Sequence, residues 1–114
     1  MISQEIAEEA IKIAEDKKGK EIILLDLKKV SIIADYFIVC SGESSVHMRS
    51  IAQEIEKRFK ERGIKLFNPH SVRDTCWILL DFGTVVIHIF SEEAREFYQL
   101  ERLWVDASKT IIAH

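Results

Sequence analysis

The chain has 114 residues, 47% of them hydrophobic and 31% charged, with a net charge of -3. That size suits one domain with a modest core, and that balance of apolar and charged residues excludes a disordered chain. The acidic charge argues against duplex nucleic acid as the main partner, because neutralising phosphates calls for a basic face.

The N-terminal stretch, residues 2–18, reads as an amphipathic helix with Ile2, Ile6, Ala10, Ile13 and Ala14 at helical spacing. Ser3 is placed to cap it and Gly19 to follow its last turn. Glu21 to Leu27 is a short apolar run that reads as a buried strand, and Tyr36 to Gly42 is a second, aromatic and β-branched. Gly42-Glu43-Ser44-Ser45 breaks that strand and caps a helix from about Ser45 to Arg62. The buried stripe of this helix is Met48, Ile51, Ala52, Ile55 and Phe59, and Gly63 marks its end. Residues 64–75, which hold Pro69, look irregular. A hairpin follows over 76–91, turning at Asp81-Phe82-Gly83-Thr84, and a short helix starts at Glu92 behind Ser91 as N-cap. Residues 105–114 carry a modest helical pattern ending at Ile111 and Ile112. The order α-β-β-α-β-β-α predicts a single α/β (α+β) domain over 1–114, a mixed β-sheet flanked by helices.

No run is long enough to span a bilayer, and the start of the chain lacks the basic region of a signal peptide. Glu5, Glu8, Glu9, Glu15 and Asp16 make it equally unlike a transit peptide, so the expected location is cytoplasmic, with no membrane partner. Cys40 and Cys76 both fall in predicted strands and are expected to be buried, reduced thiols. The basic clusters Lys17-Lys18-Gly19-Lys20 and Lys57 to Arg62 sit at predicted helix C-termini, where cations complement the helix dipole.

A catalytic constellation is not visible. The strand–Ser41-Gly42-Glu43-Ser44-Ser45–helix junction has one glycine and no phosphate-loop lysine. Glu54 and Glu56, two apart on a helix, point to different faces and cannot form a two-metal carboxylate pair. His47, His70, His88 and His114 share no metal-ligand spacing, and His88 within an apolar strand reads as structural. Asp81-Phe82-Gly83 matches a kinase tripeptide in letters only and reads as a turn. The expectation is a protein without enzymatic activity, cofactor or metal. Tyr98, Leu100, Leu103 and Trp104, interleaved with Glu96, Glu101, Arg102 and Asp106, cannot all face one core. Aromatics among charges are the composition of a protein–protein contact.

The runs Asp35-Tyr36-Phe37-Ile38-Val39-Cys40-Ser41-Gly42, Ile51-Ala52-Gln53-Glu54-Ile55, Trp77-Ile78-Leu79-Leu80-Asp81-Phe82-Gly83, Val85-Val86-Ile87-His88-Ile89-Phe90 and Glu93 to Trp104 stand in the order and spacing of one family. With them, nearly the whole chain resembles the ribosomal silencing factor (Iojap) family. It departs from the family at Trp104-Val105-Asp106-Ala107, where glycine commonly follows the tryptophan, and at Ser71 to Thr75, where Glu-Gly is usual. The resemblance implies a nucleotidyltransferase-like fold without known enzymatic activity. It implies docking on large-subunit ribosomal protein fourteen, which keeps the small subunit from joining and represses translation. Carried onto matching positions, the contact surface or its immediate support is Tyr36, Trp77, Asp81, Arg95, Glu96, Tyr98, Glu101, Arg102 and Trp104. A nucleotidyltransferase-like enzyme with relocated acids, an RNA-binding module, a minor ribosomal RNA contact and a homodimer of the unbound protein remain open alternatives or additions.

Overall fold

The computed structural model describes residues 2–32, 34–67, 72–74, 76–98 and 108–112. Along the chain run α1 (Ser3–Asp16), β1 (Lys20–Asp26), β2 (Tyr36–Gly42), α2 (Ser45–Glu61), β3 (Val72–Asp74), β4 (Trp77–Asp81), β5 (Val85–Ser91), α3 (Glu92–Tyr98) and β6 (Ser108–Ile111). The mixed sheet flanked by helices is as expected, with two short strands added at its edges. The order across it is β3-β4-β5-β2-β1-β6.

The centre of the sheet is a parallel pair, β2 with β5, in register from Tyr36–Val85 to Gly42–Ser91. A parallel pair cannot be closed by a hairpin, and α2 with the segment after it supplies the crossover. Every other pairing among the described residues is antiparallel. β1 holds an extra residue between Lys20 and Ile23 relative to its partner, a bulge in which Glu21 takes φ +49°.

One face of the sheet is sealed by α1 and α2. Ile22, Ile38, Cys40, Ile78, Leu80, Val85, Ile87 and Ile89 join the inner faces of both helices in one cluster. All five residues of the expected α2 stripe are buried, and Phe59 meets Phe82 edge to face with ring centroids 4.7 Å apart. In α1 the stripe is Ile6, Ala7, Ala10, Ile11, Ile13 and Ala14, while Ile2 is exposed. The opposite face carries a smaller cluster of Ile23, Leu25, Leu27, Val39, Phe90 and Ala94, the last of these from α3.

Local chemistry sets the helix ends. Ser44 caps α2 by accepting the His47 N–H at 3.1 Å, and Ser91 caps α3 by accepting that of Ala94 at 3.1 Å. After α2, Gly63 at φ +76° donates to the Lys60 carbonyl and Ile64 to that of Phe59, the two bonds of a Schellman motif. The same motif ends α1, but the left-handed residue is Lys18 (φ +60°), not Gly19. Gly19 is small for another reason: a Cβ there would lie 3.1 Å from the Ala14 carbonyl oxygen. Ser3 is not the α1 cap either. Ile2 occupies that position, and the Ser3 hydroxyl donates to the Asp35 carboxylate at 2.8 Å.

The expected helical pattern over 105–114 is corrected. Ser108–Ile111 is a strand on the outer edge of β1, with Ile111 opposite Ile23. Thr110, Ile111 and Ile112 are β-branched in succession, and the open edge of β1 offers backbone partners. Within the supposedly irregular 64–75 segment, Val72–Asp74 pairs with β4.

Phe59 is fully buried between helix and sheet, so Phe59→Ala is expected to destabilise the fold by ~3–5 kcal/mol, read as a lowered midpoint in equilibrium urea unfolding. Gly42→Ala should cost roughly 1–3 kcal/mol in the same assay, because its Cβ would sit 2.9 Å from Met48 Cγ and 3.0 Å from the Met48 backbone nitrogen.

Candidate functional site

Strand alternation sorts the residues of β4, β5 and β2 between the two faces of the sheet. Trp77, Leu79 and Asp81 project from β4 away from the helix pair, and all three are half-buried. Their cross-strand neighbours on β5 are Phe90, His88 and Val86. Beyond these, Phe37 of β2 is half-buried on the same face, beside Val86. The result is an aromatic and aliphatic sheet face that α3 covers at its Phe90 end.

The rings on this face are packed together. Trp77 lies 5.1 Å from Phe90 and 5.9 Å from His88, centroid to centroid. Phe37 meets His88 edge to face at 4.7 Å. The Trp77 indole N–H donates to His88 Nδ1 at 3.3 Å, which places the imidazole proton on Nε2. His88 is buried as expected, and burial pushes its pKa down to about 4. Its Nε2 has no hydrogen-bond partner among the described residues.

At the other end of the face, Asp81 closes the hairpin. Its carboxylate accepts the Gly83 N–H at 2.8 Å, and Gly83 takes φ +89°, a conformation that favours glycine. Phe67, largely exposed, lies against this turn and with Asp81, Phe82, Gly83, Thr84 and Val86 bounds a groove of about 440 Å³.

The other expected contact residues are distributed unevenly. Tyr36 is 5% exposed and belongs to the cluster beneath α1 and α2, with Lys28 Nζ 5.0 Å above its ring. That position is on the opposite face from Trp77 and leaves Tyr36 a supporting part at most. Arg95 on α3 is buried and Glu96 beside it is exposed. The Tyr98 side chain, Glu101, Arg102 and Trp104 lie outside the described residues. Phe37, Leu79, Val86 and His88 share this face with Trp77 and Asp81 but are not among the expected contact residues. The signal that finds them is their two-residue phase with Trp77 and Asp81 across paired strands.

The remaining candidates for chemistry are occupied structurally. At the β2–α2 junction the Glu43 N–H donates to His47 Nδ1 at 2.9 Å, and His47 Nε2 lies 2.8 Å from the Lys17 carbonyl. The Glu43 carboxylate pairs with Lys20 at 2.7 Å, so the junction carries an acid of its own and its nearby lysine is engaged. Glu54 pairs with Arg58 at 2.7 Å, and Arg58 also reaches Asp16. Arg62 pairs with Glu9, so both basic clusters of the sequence are partly neutralised within the fold. Among the described residues no group of three His, Cys, Asp or Glu is placed to hold a metal ion. Cys40 is buried, and burial pushes its thiol up to about 12, far from a reactive thiolate. Cys76 is half-buried in the turn before β4 rather than inside a strand.

The depressed His88 basicity has a defined consequence for stability. The unfolded chain binds this proton near pH 6.5 and the folded chain only near 4. Stability from this group is therefore complete above pH 6.5 and falls as the pH drops towards 4, by up to ~3 kcal/mol. His88→Phe should flatten that part of the stability profile relative to the wild type, as measured by urea unfolding between pH 7 and 4. Surface carboxylates titrate alike in both proteins and cancel in the difference.

Residues 2–114 match the family model described as ribosomal silencing factor during starvation. A ribosomal silencing factor of Halalkalibacterium halodurans is 37% identical over 107 residues, covering 94% of this chain and 92% of the relative. One from Bacillus subtilis is 39% identical over 93 residues, covering 82% and 79%. An Iojap-related mitochondrial protein of Arabidopsis thaliana is 33% identical, over 84% of this chain and 54% of that protein. Among solved structures, a Chromobacterium violaceum protein superposes with a TM-score of 0.87 at 32% identity, over 100% of this chain and 95% of the other. A protein from Bacillus halodurans superposes with a TM-score of 0.83 at 32% identity, over 96% and 100%. With the sequence match spanning the folded domain and the same fold in these neighbours, the chain belongs to the ribosomal silencing factor family.

Proposed function

We propose that this protein represses translation by docking on the large ribosomal subunit, through large-subunit ribosomal protein fourteen, and blocking the small subunit sterically. The observation that carries this reading is the half-open sheet face of Trp77, Leu79, Asp81 and Phe37, an aromatic surface with an acid at its rim. Family membership supplies the ribosome as the place of action. A net charge of -3 suits a basic ribosomal protein, with charge aiding encounter and orientation.

In this reading Trp77 is the anchor, and Asp81 and the exposed Glu96 pair with basic side chains of the partner. Tyr36 and Arg95, both buried, support the surface from within. Tyr98 ends α3, Glu101, Arg102 and Trp104 come shortly after it in the chain, and the reading assigns all four to the same contact. The action is occupancy of the joining surface, with no chemical step, cofactor or metal, and it takes place in the cytoplasm. Bare RNA is a poor alternative partner because Lys20, Arg58 and Arg62 are each paired with an acid. No described helix is long and apolar enough to cross a membrane.

Sedimentation of purified subunits at near-physiological magnesium tests the reading. The protein is expected to travel with the large subunit and to reduce the joined-ribosome peak. Trp77→Ala, Trp104→Ala and Tyr98→Ala are each expected to weaken that association by about 2 kcal/mol, roughly 30-fold. Unchanged joining with the protein left at the top of the gradient would refute it.

A further inference from the structure

Resting on the docking reading above, we infer that His88 is the positioning residue of the Trp77 anchor: its Nδ1 accepts the indole N–H and fixes the angle at which the indole is presented.

The register makes this contact. Trp77 stands opposite Phe90 and Leu79 opposite His88, so the indole and the imidazole are diagonal neighbours on one face, within reach of each other. The imidazole is itself held rigidly. Phe37 packs edge to face against it at 4.7 Å, and Phe90 lies parallel to it at 6.2 Å. At 4% exposure His88 is too deep to meet a partner directly, whereas Trp77 is half-exposed.

A histidine here is costly for the fold. Its Nε2 is buried without a hydrogen-bond partner among the described residues, which opposes folding, and a phenylalanine or leucine would fill the space without that loss. Stability therefore does not account for the imidazole. Its Nδ1 bond to the indole does, because a half-exposed tryptophan has several accessible χ1 and χ2 settings and a fixed acceptor selects among them. An anchor already held in its bound orientation loses less conformational freedom on docking.

The test uses the full chain and two independent readouts. In ¹⁵N spectra of the free protein, the Trp77 indole resonance, assigned by its loss in Trp77→Phe, should move and exchange faster with solvent in His88→Phe. His88→Gln, whose side-chain oxygen can accept the same bond, should keep most of the wild-type signature. Binding to purified large subunits should weaken about 3- to 10-fold in His88→Phe and by a similar factor in Trp77→Phe. The double variant should bind no worse than Trp77→Phe alone, since both remove one hydrogen bond. Should His88→Phe fold poorly, Trp77→Phe removes the same bond from the other side: weakened binding in Trp77→Phe beside near-wild-type binding in His88→Gln supports the inference, and equal losses in both overturn it. An indole resonance indifferent to residue 88, or losses that add in the double variant, would overturn the inference. Trp77→Ala binding the subunit like the wild type would overturn the docking face itself, and the indole resonance of the free protein shows separately whether the hydrogen bond exists.

Discussion

The parallel pairing of β2 with β5 is the constraint on which the rest of the structure depends. Two central strands whose residues are nearly all buried must be covered on both faces, because neither face carries the polar alternation that water tolerates. The helix pair α1 and α2 satisfies one face with small residues, Ala7, Ala10, Ala14 and Ala52, that let both helices lie close to the sheet. The other face receives α3, seven residues long, whose Ala94 reaches the Phe90 end. Phe37, Trp77 and Leu79 are left half-buried beyond it. An aromatic surface at this place is thus a consequence of how the cover is shared between the two faces.

The same asymmetry divides polar residues by role. On the helix-covered side, charges lie at the rim and act between elements: Arg58 ties α2 to Asp16 at the end of α1, and Arg62 ties it to Glu9. Exposed pairs of this kind contribute little individually, so their main effect is to use up cations that would otherwise form a basic patch. On the open side the polar groups are spent on geometry. Asp81 accepts the turn N–H that shapes the hairpin, and His88 accepts the indole N–H within the aromatic group.

Legibility in the sequence followed the range of each interaction. Features set within one turn or one strand could be read directly: the α2 stripe from Met48 to Phe59, the Ser44 and Ser91 caps, and the Gly83 turn. Features needing a distant partner could not. Ser3 looks like a cap until Asp35, 32 residues away, takes its hydroxyl. Residues 108–111 look weakly helical until the free edge of β1 offers them a ladder. Tyr36 and Trp77 both begin strands and both carry a polar handle, yet strand phase sends one under the helices and the other to the open face. The resemblance puts Arg95 in the contact surface or its immediate support without choosing between them, and its burial is a tertiary fact that no local pattern encodes.

The β2–α2 junction shows how a sheet of this kind can hold a helix N-terminus without a phosphate. In α/β folds that position attracts anions through unpaired N–H groups and the helix dipole. Here Ser44 takes the His47 N–H, and His47 in turn accepts the Glu43 N–H and reaches the Lys17 carbonyl at the end of α1. Gly42 allows that close approach, since even one methyl group would collide with the Met48 backbone. The Glu43 carboxylate, held by Lys20, supplies negative charge of the protein's own at this helix start. With that end of the sheet internally satisfied, the aromatic face of Phe37, Trp77 and Leu79 stays half-buried among the described residues. In the proposed docking this face meets another macromolecule's side chains, and half-buried apolar rings suit such a contact better than a small charged ligand.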